Sequence, residues 1–164
     1  MLRVSALPSL QIVEANLTCP QHQRAVVELL NGYAGTPMGG GLPLSDAVRE
    51  RLIPALQQQA NRLILLALVE GEPVGIAVCF YGFSTFEAKP LVNIHDLAVH
   101  PAFQRRGIGR RLLAEVEQRA RERGCCRVTL EVLERNHVAR RLYRSQGFQG
   151  DSGDDATYFL KKPL

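Results

Sequence analysis

The sequence predicts a single α/β domain, residues 1–164, built on a mixed and mostly antiparallel central sheet with helices on both of its faces. Three observations support this fold class. Apolar runs of strand length alternate with amphipathic stretches of helical spacing, in the approximate order βααβββαβαββ. Two of these runs are joined by a short Gly-Pro turn at residues 70–73, which is typical of an antiparallel hairpin. A length of 164 residues, 46% of them hydrophobic, is enough to bury one core.

The N-terminal part is predicted to form one short strand, residues 10–13, and two helices. Thr18 can cap the first helix. The apolar side chains of this helix recur at helical spacing and are Ala25, Val26, Leu29, Leu30 and Tyr33. The three glycines at residues 39–41 predict a flexible loop. The second helix begins near Ser45, and Pro54 inside it is expected to kink or split it.

The middle of the chain predicts most of the sheet and the longest amphipathic helix. Residues 62–69 and 74–83 form the two strands of the hairpin, and residues 91–99 form the next strand. A helix is predicted over residues 109–123, which contain no helix breaker after the first glycine. Residues 127–132 alternate between apolar and polar side chains and therefore predict a half-buried strand.

The C-terminal part is predicted to add one helix and two strands. Asn136 can cap a helix over residues 137–146, which Gly147 ends. Phe148 begins a strand, residues 151–155 form an exposed acidic loop, and residues 158–160 form the last strand.

Basic residues are concentrated in one part of the chain. From Gln104 to Arg144 there are 12 arginines and 5 glutamates, a net charge of +7 within a chain whose total is +4. The remainder therefore carries −3. This asymmetry predicts an anionic partner, either a nucleic acid or a polyphosphate cofactor. The arginines lack the interleaved aromatic residues of single-strand binders, and no helix-turn-helix spacing is present, so we expect no nucleic-acid partner.

Membrane, disulfide and metal-binding classes are disfavoured by the pattern of apolar residues and cysteines. No apolar run approaches the ~20 residues that a membrane span needs, and the N-terminus lacks the apolar segment of a signal peptide. We therefore expect a cytoplasmic protein with no membrane partner. The four cysteines form no C-x-x-C pair, which favours reduced thiols and no metal.

The segment between the predicted strand 91–99 and the helix that follows has the properties of a phosphate-binding loop. It contains Gln104, Arg105, Arg106, Gly107, Ile108 and Gly109. Its backbone N–H groups lie at a helix N-terminus, which favours an anion. The P-loop pattern is absent, because Gly109 is followed by two arginines. The dinucleotide pattern is absent as well, because Leu112 occupies its third glycine position.

This loop, together with a second segment, resembles the GNAT superfamily of N-acetyltransferases. The loop sequence Gln-Arg-Arg-Gly-Ile-Gly is similar to the superfamily signature [QR]-x-x-G-x-[GA]. The second segment, residues 136–148, is similar to N-x-x-A-x-x-[LF]-Y-x-x-x-G-F, and it follows at the spacing seen in that superfamily. The resemblance is clear over residues 63–148. It implies the GNAT fold, with a central sheet splayed at its middle, and acetyl-CoA as the cosubstrate.

The resemblance assigns an acetyl-CoA site residue by residue. The loop would hold the pyrophosphate, the end of strand 91–99 would pair through its backbone with the pantetheine arm, and Asn136 would contact that arm. A backbone N–H near Leu97 or Ala98 would polarise the acetyl carbonyl. The implied cofactor-binding set is Leu97, Ala98, Val99, Gln104, Arg105, Arg106, Gly107, Ile108, Gly109, Arg110, Asn136 and Tyr143.

Three residues are candidates for the chemistry of acetyl transfer. Tyr143 matches the tyrosine that protonates the leaving thiolate of CoA in the superfamily. The acceptor amine must lose a proton, and His95 and Asp96 are the nearest candidates for the base, on opposite faces of their strand. A water chain to Glu87 is a further alternative. The segment from Phe83 to Asp96 also resembles the diamine and polyamine acetyltransferases, although His95 stands where an acidic residue is common.

The sequence therefore predicts an N-acetyltransferase that moves an acetyl group from acetyl-CoA to a primary amine by direct attack in a ternary complex. The acceptor could be a polyamine, an amino acid or a peptide amine. No cysteine is expected near the thioester, so a covalent acetyl-enzyme is not indicated. The alternative is a CoA-binding sensor without turnover. The resemblance also implies a homodimer.

Overall fold

The chain is built on a five-stranded mixed sheet, seen in a computed structural model that describes residues 9–150 and 162–163. The strands lie in chain order, β1 to β5. All neighbouring pairs are antiparallel except β4 and β5, which are parallel. This confirms the predicted fold class. The strands are β1 (Leu10–Glu14), β2 (Arg62–Val69), β3 (Glu72–Ser84), β4 (Lys89–Val99) and β5 (Val128–Leu130).

Helices cover both faces of the sheet, as predicted. On one face Leu112, Leu113 and Val116 of α3 are fully buried against the strands. On the other face α1 and α2 bury residues such as Val26 and Ile53. The apolar stripe of each helix is therefore matched by an apolar face of the sheet. The helices are α1 (Pro20–Ala34), α2 (Asp46–Gln57), α3 (Ile108–Glu122) and α4 (His137–Ser145).

Strand β4 contains a bulge at His95. Opposite it, Cys79 pairs with Ile94 and the adjacent Val78 pairs with Asp96, so His95 has no partner in the register. An extra residue reverses the alternation of side chains along the rest of the strand. Ile94 faces the α3 side before the bulge, and Leu97 and Val99 face that side after it, while Ala98 faces α1.

Beyond the bulge, β4 separates from β5. The two strands pair only where residues 92–94 of β4 lie beside residues 128–130 of β5. In the part of the chain that the structure describes, the edge of β4 from His95 to Val99 on that side faces no strand. This is the splay in the middle of the sheet that the resemblance implied.

Several local predictions differ from the structure. Cys19, and not Thr18, is the N-cap of α1. The hydroxyl of Thr18 lies before the helix and donates to Asn16 Oδ1 at 2.7 Å. Ser45 caps α2 as predicted, accepting from the N–H of Val48 at 3.3 Å. Helix α2 is not split, since it continues through Pro54.

The C-terminal elements are shorter than predicted. Strand β5 covers three residues rather than residues 127–132, and Phe148 lies outside any strand. Instead, the ring of Phe148 packs against Tyr143, with 5.7 Å between ring centroids. The predicted acidic loop 151–155 and strand 158–160 lie outside the described residues.

The connection between α1 and α2 is a hydrogen-bonded turn, not the flexible loop predicted from its glycines. The N–H groups of Gly39 and Gly41 both donate to the carbonyl of Thr36, at 3.0 and 2.9 Å. A Cβ at Gly39 would lie 2.0 Å from the carbonyl oxygen of Tyr33. The turn is therefore packed tightly against the end of α1, and glycine is required there by space.

Candidate active site

A row of free backbone donors lies between β4 and the first turn of α3. None of the N–H groups from Arg105 to Arg110 donates to an acceptor within the described part of the chain. The first helical hydrogen bond runs from the N–H of Arg111 to the carbonyl of Gly107 at 3.1 Å. Arg105 and Gly107 both have left-handed backbones, with φ of 63° and 79°. Such a turn directs successive N–H groups outward and forms an anion-binding concavity.

Side chains within the loop hold its shape. The side-chain amide of Gln104 donates to the carbonyl of Val99 at 3.0 Å, so it ties the loop to the end of β4. The guanidinium of Arg106 stacks over the ring of Phe103 at 5.1 Å. His100 caps the short 3₁₀ turn Pro101–Phe103. The backbone N–H of Gln104 is also engaged, since it donates to the carbonyl of Pro101 at 3.3 Å. Gln104 therefore holds the shape of the loop, and the free backbone donors begin at Arg105.

The basic side chains of this loop differ from three arginines further along the chain, which are neutralised by glutamates. Arg119, Arg121 and Arg127 form ion pairs with glutamates. Arg105, Arg106 and Arg110 are exposed, and no ion pair joins them to another residue within 9–150 or 162–163. The positive charge of the chain is therefore uncompensated where the free N–H groups lie, which favours a polyanion at this position.

Helix α4 packs beside this loop. A Cβ on Gly109 would meet Leu142 Cδ2 at 3.1 Å, so glycine allows the two helices to approach closely. Gly107 has open space around it, so a side chain would fit there. Glycine is favoured at this position because the backbone is left-handed. Asn136 begins α4 as predicted, its Oδ1 accepting from the N–H of Ala139 at 3.2 Å. Only its amide N–H groups remain for a ligand.

Tyr143 lies in α4 with its ring half-buried against the core on the α3 side. Burial, together with a smaller contribution from Tyr33, raises the pKa of its phenol to about 12. The phenol is therefore neutral, and a hydrogen-bond donor, at any pH used in an enzyme assay. Leu97 and Val99 of β4 pack against the same core. The ring of Tyr143 and the side chains at the end of β4 thus lie on the same side of the sheet.

His95 and Asp96 both lie on the α1 side of the sheet, not on opposite faces as predicted. Asp96 is opposite Val78, which is buried on the α1 side. The ring of His95 contacts Phe80 of the same face edge-on, with 5.0 Å between centroids. The bulge causes this, because it places two successive side chains on one side. Burial raises the pKa of the Asp96 carboxyl, and His95 partly offsets this.

Tyr33 is a further candidate for the site, and the sequence did not indicate it. It lies in the last turn of α1, and burial raises the pKa of its phenol, with Asp96 raising it further. Its charge also acts on Tyr143. Tyr33 is thus electrostatically linked to both Asp96 and Tyr143. Its helical spacing with Val26 and Leu30 indicated a core residue, and no local signal distinguishes the two roles.

Cys79 also lies closer to the site than predicted. It pairs with Ile94 next to the bulge, and its thiol is fully buried on the α3 side. Burial, together with the charge of Asp96, raises the pKa of this thiol to about 12. A thiol with so high a pKa is a poor nucleophile, so its position does not favour a covalent acetyl-enzyme.

Two concavities, of about 340 and 380 Å³, lie away from the loop, beside the start of β5 and beside Tyr81. Neither contains the free N–H groups or the unpaired arginines. The candidate site is therefore the loop and the splay. An extended ligand would bind there through hydrogen-bond donors along an open strand edge, which does not require a deep cavity. In the described residues, no three His, Cys, Asp or Glu side chains are grouped so as to hold a metal.

Comparison with known proteins agrees with this geometry. The profile of the acetyltransferase (GNAT) family matches residues 28–148. The chain belongs to the GNAT family. It is an acyltransferase of that type. No helix among the described residues is long and apolar enough to cross a membrane.

Individual relatives support the assignment. Over 104 residues the chain is 31% identical to YhfO of Bacillus subtilis, an uncharacterised N-acetyltransferase, covering 63% of this chain and 70% of that one. It is 33% identical over 84 residues to the thialysine N-epsilon-acetyltransferase of Bos taurus, covering 48% and 49%. The chain thus spans about half the length of that enzyme. A crystal structure of a probable acetyltransferase superposes with a TM-score of 0.80 at 26% identity, covering 94% and 99%.

Replacing Asp96 with asparagine should stabilise the protein at neutral pH. The raised pKa means that the folded protein disfavours the carboxylate, so native stability falls as pH rises from the ordinary carboxyl range through the folded pKa. Asparagine removes this loss. Urea unfolding should give a higher midpoint for Asp96→Asn at pH 8, and the gain should shrink towards pH 4.

The exposed Asp46, at the N-terminus of α2, is the control. Asp46→Asn should lower stability slightly, because a negative charge there is favourable. A gain from Asp96→Asn that is equal at both pH values would contradict the assignment.

Proposed function

We propose that this protein is an N-acetyltransferase that transfers the acetyl group of acetyl-CoA to a primary amine by direct attack in a ternary complex. The observation that carries the proposal is the row of free N–H groups at the start of α3, directly beyond the end of β4. Among the described residues, the edge of β4 from His95 to Val99 has no partner strand. The first feature fits a pyrophosphate, and the second fits an extended amide-containing chain.

The donor is held by backbone groups more than by side chains. The N–H groups from Arg105 to Arg110 bind the pyrophosphate, with the unpaired guanidinium groups at the same end. The edge of β4 from His95 to Val99 pairs with the pantetheine arm, as an added strand would. The side-chain amide of Asn136 has free N–H groups for the same arm. The acetyl carbonyl then meets a backbone N–H near Leu97 or Ala98, which stabilises the developing oxyanion.

Deprotonation of the acceptor is assigned to Asp96. An alkylammonium titrates near 10, so a base is needed at neutral pH. Asp96 is half-buried and its raised pKa makes it a stronger base than an exposed carboxylate. His95 is exposed, lies beside Asp96 and is the second candidate. Because both side chains lie on the α1 side of the sheet, the acceptor enters from that side and not from the α3 side.

Tyr143 acts on the leaving sulfur. Complete transfer of a proton from a phenol of pKa about 12 to a thiolate, whose thiol titrates near 8.5, is uphill by about 5 kcal/mol. The larger part of the role is therefore a hydrogen bond that stabilises the departing thiolate in the transition state. Burial of the ring strengthens such a bond, because few water molecules compete for it.

Tyr143→Phe should lower kcat by at least about tenfold and leave the KM for acetyl-CoA nearly unchanged, because the hydroxyl acts only on the departing sulfur. The measurement is amine-dependent release of free thiol under saturating acetyl-CoA. A kcat equal to that of the native protein would remove Tyr143 from the mechanism.

Gly107→Val should weaken CoA binding by about tenfold or more. A β-branched residue cannot adopt the φ of 79° without strain of about 1–3 kcal/mol, and relief of that strain turns the N–H groups away from the ligand. Calorimetry with CoA measures the change. Gly71→Val is the matched control, because Gly71 has a φ of 84° and open space but lies in the β2–β3 turn. Equal affinities for the two variants would contradict the loop assignment.

One panel of acceptors tests the function as a whole. Thiol release from acetyl-CoA is followed with polyamines, amino acids, aminoglycosides and peptides as acceptors. We expect release with at least one class. CoA binding without release for any amine would contradict the proposal and would favour a CoA-binding sensor.

A further inference from the structure

Asp96 is a half-buried carboxylate that forms no ion pair or side-chain hydrogen bond within the described residues, and His95 beside it offsets its burial only in part. Glu14, Glu87, Glu115 and Glu117 all pair with arginines. No hydrogen bond or ion pair to the carboxylate of Asp96 is formed by the residues that the structure describes. A partly desolvated carboxylate is costly unless a cation or donor compensates it. Its raised pKa has the same cause.

The end of α1 brings two further oxygen atoms towards this carboxylate. The hydroxyl of Tyr33 lies 3.5 Å from the carbonyl oxygen of Met38, a distance at the limit for a hydrogen bond, so the hydroxyl remains available to a ligand. The tight α1–α2 turn fixes this arrangement, since Thr36 Oγ1 donates to the carbonyl of Tyr33 at 2.7 Å and accepts from the N–H of Gly39 at 3.1 Å. Asp96 lies on the side of β4 that α1 covers, and Tyr33 lies in the last turn of α1, so both groups border the same side of the sheet. The charge of Asp96 accordingly raises the pKa of the Tyr33 phenol.

A cationic side chain contacts the same α1–α2 turn. A guanidinium N–H of Arg135, in the segment before α4, donates to the carbonyl of Pro37 at 3.2 Å. Pro37 is adjacent to Met38, so one short path of contacts leads from Arg135 to Tyr33. Arg135 is exposed and forms no ion pair with the described residues, which leaves its other N–H groups for an anion.

We propose that this wall binds the acceptor at two points and selects an amine that also carries a carboxylate. Asp96, the hydroxyl of Tyr33 and the carbonyl of Met38 receive the ammonium, whose three N–H donors match three oxygens. Arg135 receives the carboxylate. A polyamine would place a second cation near Arg135, where like charges repel. The inference rests on the proposed acetyl transfer and names its substrate class.

Lysine and cadaverine test the selection, because cadaverine is lysine without its carboxylate. With acetyl-CoA saturating, the native protein should show a kcat/KM for lysine at least about tenfold above that for cadaverine. Arg135→Gln should reduce this preference towards parity by raising the KM for lysine alone. The matched control is Arg121→Gln, which removes a charge from the far end of α3 and should leave the preference intact. A native preference for cadaverine, or a preference that survives Arg135→Gln, overturns the carboxylate contact.

Tyr33→Phe tests the ammonium contact. Loss of one hydrogen bond to a charged group should raise the KM for lysine about tenfold, while kcat, the KM for acetyl-CoA and the melting temperature stay nearly constant. Tyr81→Phe, on the opposite face of the sheet, is the control. An unchanged KM for lysine, or an equal rise in the KM for acetyl-CoA, overturns the role of Tyr33.

Turnover of other amines but not of lysine overturns only this inference, whereas absence of turnover with every amine overturns the proposed function as well.

Discussion

The extra residue at His95 is the constraint on which the rest of the site depends. Without it, the alternation of β4 would place Leu97 and Val99 on the α1 side and Asp96 on the α3 side. With it, Leu97 and Val99 anchor the end of the strand in the core under α3, and Asp96 faces the wall formed by α1. One strand can then bind the donor along its free edge and present a carboxylate to the acceptor.

Two helix termini complete the arrangement, each with its own physical basis. The start of α3 provides the free N–H groups, because Gly107 takes the left-handed backbone that a helix entry of this shape requires. The close packing of Leu142 on Gly109 then sets α4, and with it Tyr143, beside the same loop. In the proposed mechanism, donor binding and leaving-group chemistry are therefore linked through one glycine-containing segment, and a shift of α4 would affect both.

Hydrophobic periodicity and helix-capping residues correctly predicted those helices that depend on local sequence. The stripe of Leu112, Leu113 and Val116 placed α3 correctly, and Asn136 and Ser45 cap their helices as expected. The bulge, the shared face of His95 and Asp96 and the role of Tyr33 depend on contacts between distant strands and helices, which spacing along one segment does not encode. Thr18 is not the cap because α1 begins one residue later than predicted, with Cys19 at the N-cap. The glycines of the α1–α2 turn predicted mobility, but Gly39 is required by its close approach to α1.

Initial rates with acetyl-CoA and an accepted amine varied together test the central claim most directly. A site in which the free edge of β4 holds the donor while the α1 wall holds the acceptor requires both substrates to be bound at once. We expect amine-dependent thiol release, intersecting double-reciprocal lines and no acetylated protein by mass spectrometry. Parallel lines with an acetylated protein, or thiol release that ignores the amine, would contradict it.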